Sequence, residues 1–362
     1  MIPFIDLKRT NDQIFKKKGF KIEEFLSENS FILGKNLQKF ESNFSKYFEA
    51  KHSFGVGNGL DALSIALKSL NVKRGDEVIV PSHTFHATWL AVSNIGAIPI
   101  PVEISEDDFN IDINLIEKKI TKKTKAIILV HLYGQPCNID EAKKIAVKYK
   151  LKIIEDAAQA HGAIYKNKKI GSHSDAVCWS FYPTKNLGCF GDGGMISTNN
   201  DDLSEKINEL RNYGSSKKYY YGSIGFNSRL DEIQAYILNF KIKKLNSWVQ
   251  ERNKIANFYL REIKNPLIDL PVVGKDLYHA WHLFVIKSKN RDSLIEFLNQ
   301  KGIGTMIHYP IPPSKQKCYK SLKYKCSVAE KISNEVLSLP IYPGLKDSEL
   351  KYIVESINNF KL

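Results

Sequence analysis

Three groups of residues have the types and spacing for covalent and acid–base chemistry. The first centres on Lys185, in Trp179-Ser-Phe-Tyr-Pro-Thr-Lys-Asn-Leu-Gly188, which runs on into Gly191-Asp-Gly-Gly194. An apolar run precedes the lysine and glycines follow it. A strand end can hold such an amine at the mouth of a sheet while the glycines let the backbone turn tightly. An amine held there and partly stripped of water is available to form a Schiff base with a carbonyl. In a chain with 53 Lys plus Arg an arbitrary lysine is a solvated surface residue, so its surroundings must single this one out. The second group is Asp156, closing the apolar run Leu151-Lys-Ile-Ile-Glu-Asp156. It places an anion where an α/β sheet binds ligands, although alone it also reads as a helix cap. The third is the turn Ser53-Phe-Gly-Val-Gly-Asn-Gly-Leu-Asp61, ahead of the apolar segment Ala62 to Leu70. A helix N-terminus after such a turn suits a phosphate. Position 60 is Leu60, so the GxGxxG dinucleotide pattern fails.

The elements that must position these groups alternate along the chain. Leu37, Phe40, Phe44 and Tyr47 fall on one face of a helix over residues 34–48. Strands are expected at Glu77 to Pro81, Ala97 to Val102, Lys125 to His131, Leu151 to Asp156, Asp175 to Phe181 and Met195 to Thr198. Helices are expected at Thr84 to Ser93 and Asp140 to Tyr149. This alternation predicts an open, mostly parallel α/β sheet flanked by helices. A polar, tyrosine-rich insertion, Lys217 to Tyr221, precedes a helix that opens at Asn227 and runs to about Leu245. The remainder, with strands at Trp281 to Ile286 and Gly304 to His308 and helices at Arg291 to Lys301, Ser327 to Leu337 and Asp347 to Phe360, reads as a smaller α+β domain. The expected division is a large domain over 1–245 and a small one over 246–362.

Composition narrows the function. Hydrophobic content of 43% and charged content of 25% are ordinary for a globular protein. The net charge of +14 comes from lysines scattered along the chain, without an arginine-rich stripe or a nucleic-acid-binding signature. It reads as a lysine-rich surface with a bias toward anionic small ligands, not as a nucleic-acid binder. No signal peptide or membrane span is evident. The five cysteines form no CxxC pair, so no metal site or disulfide framework is indicated and a cytoplasmic location is expected.

Pyridoxal phosphate needs these groups together: a lysine for its aldehyde, an anion for its ring nitrogen and a cradle for its phosphate. Phe85 or His86 could cover the ring face. The sequence also resembles the DegT/DnrJ/EryC1/StrS family of pyridoxal-phosphate-dependent nucleotide-sugar aminotransferases. The resemblance spans nearly the whole chain. It rests on Gly55-Val-Gly-Asn-Gly-Leu-Asp-Ala-Leu63, Pro81-Ser-His-Thr-Phe85, His131-Leu-Tyr-Gly-Gln135, Glu155-Asp-Ala-Ala-Gln-Ala160, Ser180-Phe-Tyr-Pro-Thr-Lys185, Gly191-Asp-Gly-Gly194, Asn227-Ser-Arg-Leu230 and His308-Tyr-Pro310. It implies a fold-type I aminotransferase with Lys185 as the catalytic, covalently bonded lysine. Asp156 would pair with the ring nitrogen, Gln159 with the ring hydroxyl, and Phe85 would stack on the ring. Ser180 and the backbone of Gly59 and Leu60 would hold the phosphate. The family usually has threonine where this chain has Leu60, so only the backbone contact carries over there. Asn227 would reach the phosphate in the other subunit of a homodimer.

The stretches Arg211-Asn-Tyr-Gly-Ser-Ser, Phe226-Asn-Ser-Arg-Leu-Asp-Glu and Ile307-His-Tyr-Pro look most like the branch that moves an amino group from glutamate to C3 of a dTDP-3-keto-6-deoxyhexose. Its products are dTDP-3-amino-3,6-dideoxy-D-glucose or -galactose, used in surface glycans. Tyr182, His308 and Tyr309 are the candidate sugar and nucleotide contacts, and Tyr219 and Lys217 the candidates for the diphosphate. Three alternatives stand beside this reading: an aminotransferase for a 4-keto sugar, a pyridoxal-phosphate sugar dehydratase, and a non-catalytic basic binding protein. The lysine at position 185 favours transamination over dehydration, because some dehydratase relatives carry histidine there.

Overall fold

Seven short apolar runs join in one sheet in the computed structural model, which describes residues 1–15 and 20–362. They are β1 (His52–Val56), β2 (Glu77–Pro81), β3 (Ile98–Val102), β4 (Thr124–Val130), β5 (Lys152–Asp156), β6 (Ala176–Ser180) and β7 (Gly194–Thr198). The order across the sheet is β1-β7-β6-β5-β4-β2-β3. Pairs β2–β3, β2–β4, β4–β5 and β5–β6 are parallel, and β7 runs antiparallel to both β6 and β1. Helices cover both faces, which is why Val78, Val80, Ile127 and Ile128 are all fully buried and the strands read as continuous apolar runs. β3 lies at one edge with prolines at positions 99 and 101.

One face of the sheet packs on the helix Lys35–Phe48 through Phe40, Phe44 and Phe48, which meet Trp179 and Phe181. The fourth member of that stripe is Phe48, not Tyr47. Tyr47 stays partly exposed and its hydroxyl pairs with Asn246. The other face packs on the helix Gly59–Ser69, whose Ala62, Ile65 and Ala66 are fully buried.

The chain leaves this core along the helices Glu232–Lys241 and Leu245–Glu262. A separate apolar cluster includes Tyr259, Phe284, Leu294, Leu339, Ile353 and Ile357, built on the antiparallel pair β8 (Phe284–Lys287) and β9 (Val336–Leu339) and the helices Arg291–Gln300 and Asp347–Asn358. Ile2 packs in it too, because its N–H donates to Gly302 O at 2.8 Å. The Arg9 guanidinium fastens the N-terminal segment through a two-pronged pair with Glu349, at 2.6 and 2.7 Å. Arg252, buried, donates from one nitrogen to the carbonyls of Trp281, His282 and Ile341. Among the described residues no helix is long and apolar enough to cross a membrane.

Three expected elements differ. The helix expected from Asn227 begins at Glu232, because Asn227 and Ser228 are tied to the backbone of Asn212 and Arg211. Gly304 to His308 is not a strand. Gly304 N–H is spent on Ile2 O, and only Met306 bridges to Ser338. The helix expected to reach Leu337 stops at Glu335, and the apolar run Val336–Leu339 becomes β9 because it can pair with β8.

Candidate active site

Lys185 follows β6 in a loop whose backbone is closed from several sides. Phe181 N–H donates to Gly193 O at 2.7 Å, Cys189 N–H to Phe181 O at 2.8 Å and Lys185 N–H to Tyr182 O at 2.9 Å. Asn186 donates to Ala280 O at 2.9 Å and the buried Lys241 ammonium to Gly188 O at 2.6 Å. A Cβ on Gly188 would stand 2.3 Å from Pro183 O, so this turn admits glycine alone. The loop thus fixes the lysine rather than letting it sweep through solvent. Desolvation pulls the Lys185 amine down to about 8, with the Asp156 carboxylate opposing the shift.

Asp156 ends β5, two strands from β2 and beside β6. One carboxylate oxygen accepts from Thr88 Oγ1 at 2.9 Å and the other from Ala158 N–H at 3.2 Å. Burial raises its pKa, while the Thr88 hydroxyl, the Ala158 amide and the Lys185 charge work against that rise. Nearby imidazoles are kept neutral. Burial, with the Lys185 charge adding to it, holds His161 down to about 3 and His308 down to about 4.

Gly59 and Leu60 form the first turn of the helix that starts at Gly59. Their N–H groups precede the first helical acceptor and point out of the helix end. Asn58 caps that end by accepting from Asp61 N–H at 2.8 Å. Ser228 braces the turn, accepting from Gly57 N–H at 2.9 Å and donating to Asp61 at 2.6 Å. A Cβ on Gly59 would lie 2.8 Å from Ser180 Cβ. Only glycine there lets the helix end and the Ser180 hydroxyl share one anion-binding corner.

These pieces meet in one cavity of about 630 Å³. It brings together Lys185, Asp156, Gln159, Ser180, Gly59 and Leu60 from the cofactor set, with Phe85 at its wall. Tyr182, His308 and Tyr309 of the substrate set also line it. Phe85 is 56% exposed and its ring sits 5.5 Å from that of Tyr309. Gln159 donates to the Tyr309 hydroxyl at 3.0 Å. Asn227, Lys217 and Tyr219 are not in this cavity. Asn227 is exposed in the Asn212 bridge, and the other two lie on an exposed hairpin, Ser215–Lys217 with Tyr220–Tyr221. Sequence reasoning missed Thr88, Asn58, Ser228 and Tyr133. Thr88 follows Phe85 by three residues at a helix start, a spacing that puts both on one side of the turn.

The residues present fit pyridoxal phosphate. The Gly59 corner, which a Cβ would fill, is an anion cradle. The amine near 8 is a nucleophile for an aldehyde. The buried Asp156 carboxylate faces that amine's charge and suits a protonated ring nitrogen.

A family model described as the DegT/DnrJ/EryC1/StrS aminotransferase family matches residues 13–358. The chain belongs to this family. Among similar aminotransferases is the dTDP-3-amino-3,6-dideoxy-alpha-D-galactopyranose transaminase of Aneurinibacillus thermoaerophilus, 48% identical, with 99% of each chain covered. The dTDP-3-amino-3,4,6-trideoxy-alpha-D-glucose transaminase of Streptomyces venezuelae is 42% identical, covering 99% of this chain and 96% of that one. Of solved structures, S. venezuelae DesV in complex with a ketimine intermediate superposes with a TM-score of 0.96 at 43% identity, covering 99% of this chain and 97% of that one. Bacillus subtilis NtdA with bound cofactor PMP superposes with a TM-score of 0.89 at 33% identity, over 98% and 84% of the two chains.

Proposed function

We propose that this aminotransferase uses pyridoxal phosphate to move an amino group from glutamate to C3 of a dTDP-3-keto-6-deoxyhexose. The product is dTDP-3-amino-3,6-dideoxy-D-galactose or its glucose epimer, for surface glycan synthesis. The observation that carries this reading is the meeting of Lys185, Asp156 and the Gly59 corner in one cavity. The names of the similar transaminases support the substrate class.

When bound, pyridoxal phosphate supplies an electron sink that lets the hydrogen on an amino-bearing carbon leave as a proton. This chain's residues do the rest. The amides of Gly59 and Leu60 and the Ser180 hydroxyl hold the phosphate. Asp156, held by Thr88, keeps a proton on the ring nitrogen. Gln159 meets the ring hydroxyl and Phe85 covers the ring. Lys185 Nζ, once released from its covalent role, is the base that takes the proton from one carbon and delivers it to another, a task for which an amine near 8 is well matched. The neutral imidazoles of His161 and His308 line its surroundings without adding charge.

The proposal extends to a cytoplasmic homodimer, with Asn227 reaching the other subunit's phosphate and the exposed Lys217 and Tyr219 serving the diphosphate. Exposure of Asn227 outside its own cavity supports this. The division into domains at 245/246 is likewise proposed, supported by the separate apolar cluster of the C-terminal part. The test is product analysis with glutamate and three acceptors: dTDP-3-keto-6-deoxy-D-galactose, its glucose epimer and a dTDP-4-keto-6-deoxy sugar. Amination at C3 with stoichiometric 2-oxoglutarate is expected, and Lys185→Ala should abolish it. Deoxygenated sugar without amination, or turnover of the 4-keto sugar alone, would overturn the reading.

A further inference from the structure

Tyr133 is a buried side chain that lies outside the cofactor set, yet two of the three candidate sugar contacts, His308 and Tyr309, trace back to it. It follows β4 with φ +58°, a left-handed conformation that bulky residues seldom adopt, and is 3% exposed. Its backbone N–H donates to Gln159 Oε1 at 2.6 Å, and Gln159 in turn donates to the Tyr309 hydroxyl at 3.0 Å. Its own hydroxyl donates to the carbonyl of His308. Its carbonyl accepts from Leu283 N–H at 3.3 Å. One residue at the end of the large sheet therefore sets the backbone at His308 and the hydroxyl of Tyr309.

The proton directions along this chain follow from its end. A carbonyl only accepts, so the single Tyr133 proton goes to His308 O. His83 Nε2, 3.0 Å from the Tyr133 oxygen, is then the protonated nitrogen, and the His308 carbonyl is a second acceptor for it. His83 Nδ1 is left as the acceptor for Ser333 Oγ, at 3.4 Å. His83 is fully buried, and burial holds it down to about 4, so this neutral tautomer persists across the working range. The chain Ser333, His83, Tyr133, His308 links the end of β2 to the C-terminal part of the molecule.

We propose that Tyr133, oriented by His83, is the positioning residue for the nucleotide-sugar half of the reaction: it fixes His308 and Tyr309 over the cavity. This rests on the aminotransferase reading given above. The glutamate half needs the cofactor residues and Lys185, which Tyr133 does not orient through its hydroxyl, so the two halves should separate.

The test uses the holoenzyme and follows the cofactor's absorbance after mixing with glutamate or with dTDP-3-amino-3,6-dideoxy-D-galactose, the reverse of the second half. Tyr133→Phe keeps the ring and backbone and removes only the hydroxyl. Its half-saturation for the amino sugar should rise roughly five- to tenfold, the loss of one buried hydrogen bond. Its rate and half-saturation with glutamate should stay within about twofold. His83→Phe should reproduce this pattern, and His83→Gln, whose amide can donate from the place of Nε2, should restore most of the sugar binding. Equal losses in both halves would show a merely structural role and overturn the proposal, as would unchanged sugar binding in both Tyr133→Phe and His83→Phe. Should Tyr133→Phe fail to fold, the His83 pair decides alone. A wild-type enzyme that responds to glutamate but not to the amino sugar would instead overturn the substrate assignment, and this inference with it.

Discussion

The Lys185 amine should titrate far from every exposed lysine. Its pKa is brought from 10.5 to about 8 by the loss of water around it. At pH 7 about one molecule in ten then carries a neutral amine, against about three in ten thousand for an unperturbed lysine, roughly a 300-fold difference. The assay is competitive acetylation of cofactor-free protein with trace acetic anhydride over pH 6–11, read lysine by lysine by mass spectrometry and scaled to each site's own plateau. Lys185 should show a midpoint near 8 and solvated lysines midpoints near 10.5. Lys241 provides an internal contrast. It is also brought down to about 8 by burial, but its nitrogen is committed to Gly188 O and only 4% of the residue is exposed, so it should react slowly at every pH. Asp156→Asn removes the one charge that raises the Lys185 pKa, so its midpoint should move below that of the wild type. A Lys185 midpoint among the exposed lysines, or an upward move in Asp156→Asn, would refute the account of desolvation opposed by a carboxylate.

Three further outcomes follow from other contacts. Gly59→Ala forces a Cβ to within 2.8 Å of Ser180 Cβ, so dialysis equilibrium should show cofactor affinity falling roughly tenfold or more as the corner opens. Arg252→Ala leaves three buried carbonyls without their donor, and urea unfolding should show a loss of about 3 kcal/mol or more. Glu349 is held down to about 2, chiefly by its hydrogen bonds from Arg9. Its folded pKa lies below the unfolded value of 4.5, so this stabilisation is complete above pH 4.5 and fades as pH falls toward 2. Arg9→Met should therefore cost about 2 kcal/mol at pH 7, allowing for solvent screening, and much less near pH 2.5, measured by chemical denaturation at both pH values.

What could be read from the sequence was what depends on neighbours along the chain. The buried strands announce themselves as apolar runs, and the Gly59 turn, Asp156 and Lys185 each sit at a junction that local pattern marks. Their convergence could be argued because a parallel sheet collects the ends of its strands on one side. The failures share a different cause. Glu232 rather than Asn227 starts its helix because Asn227 and Ser228 bond to residues 15 or more positions away. Val336–Leu339 continues a helical run in sequence and turns to strand only because β8 offers a partner. Thr88 and Tyr133 lay inside stretches already marked as informative. Nothing local says that one holds Asp156 across 68 positions and the other His308 across 175.

The two prolines of β3 have a consequence for how this molecule can meet its own kind. Ile98 N–H is used inward, on Asp76 O, so positions 99 and 101 turn their backbone outward. Proline has no N–H to offer there. The rim of the sheet therefore shows carbonyl acceptors without alternating donors, and an approaching extended chain cannot zip onto it. A copy of the protein that docks at this border must do so through side chains. A partly unfolded neighbour finds no template at this border on which to nucleate a continuous cross-molecular ladder.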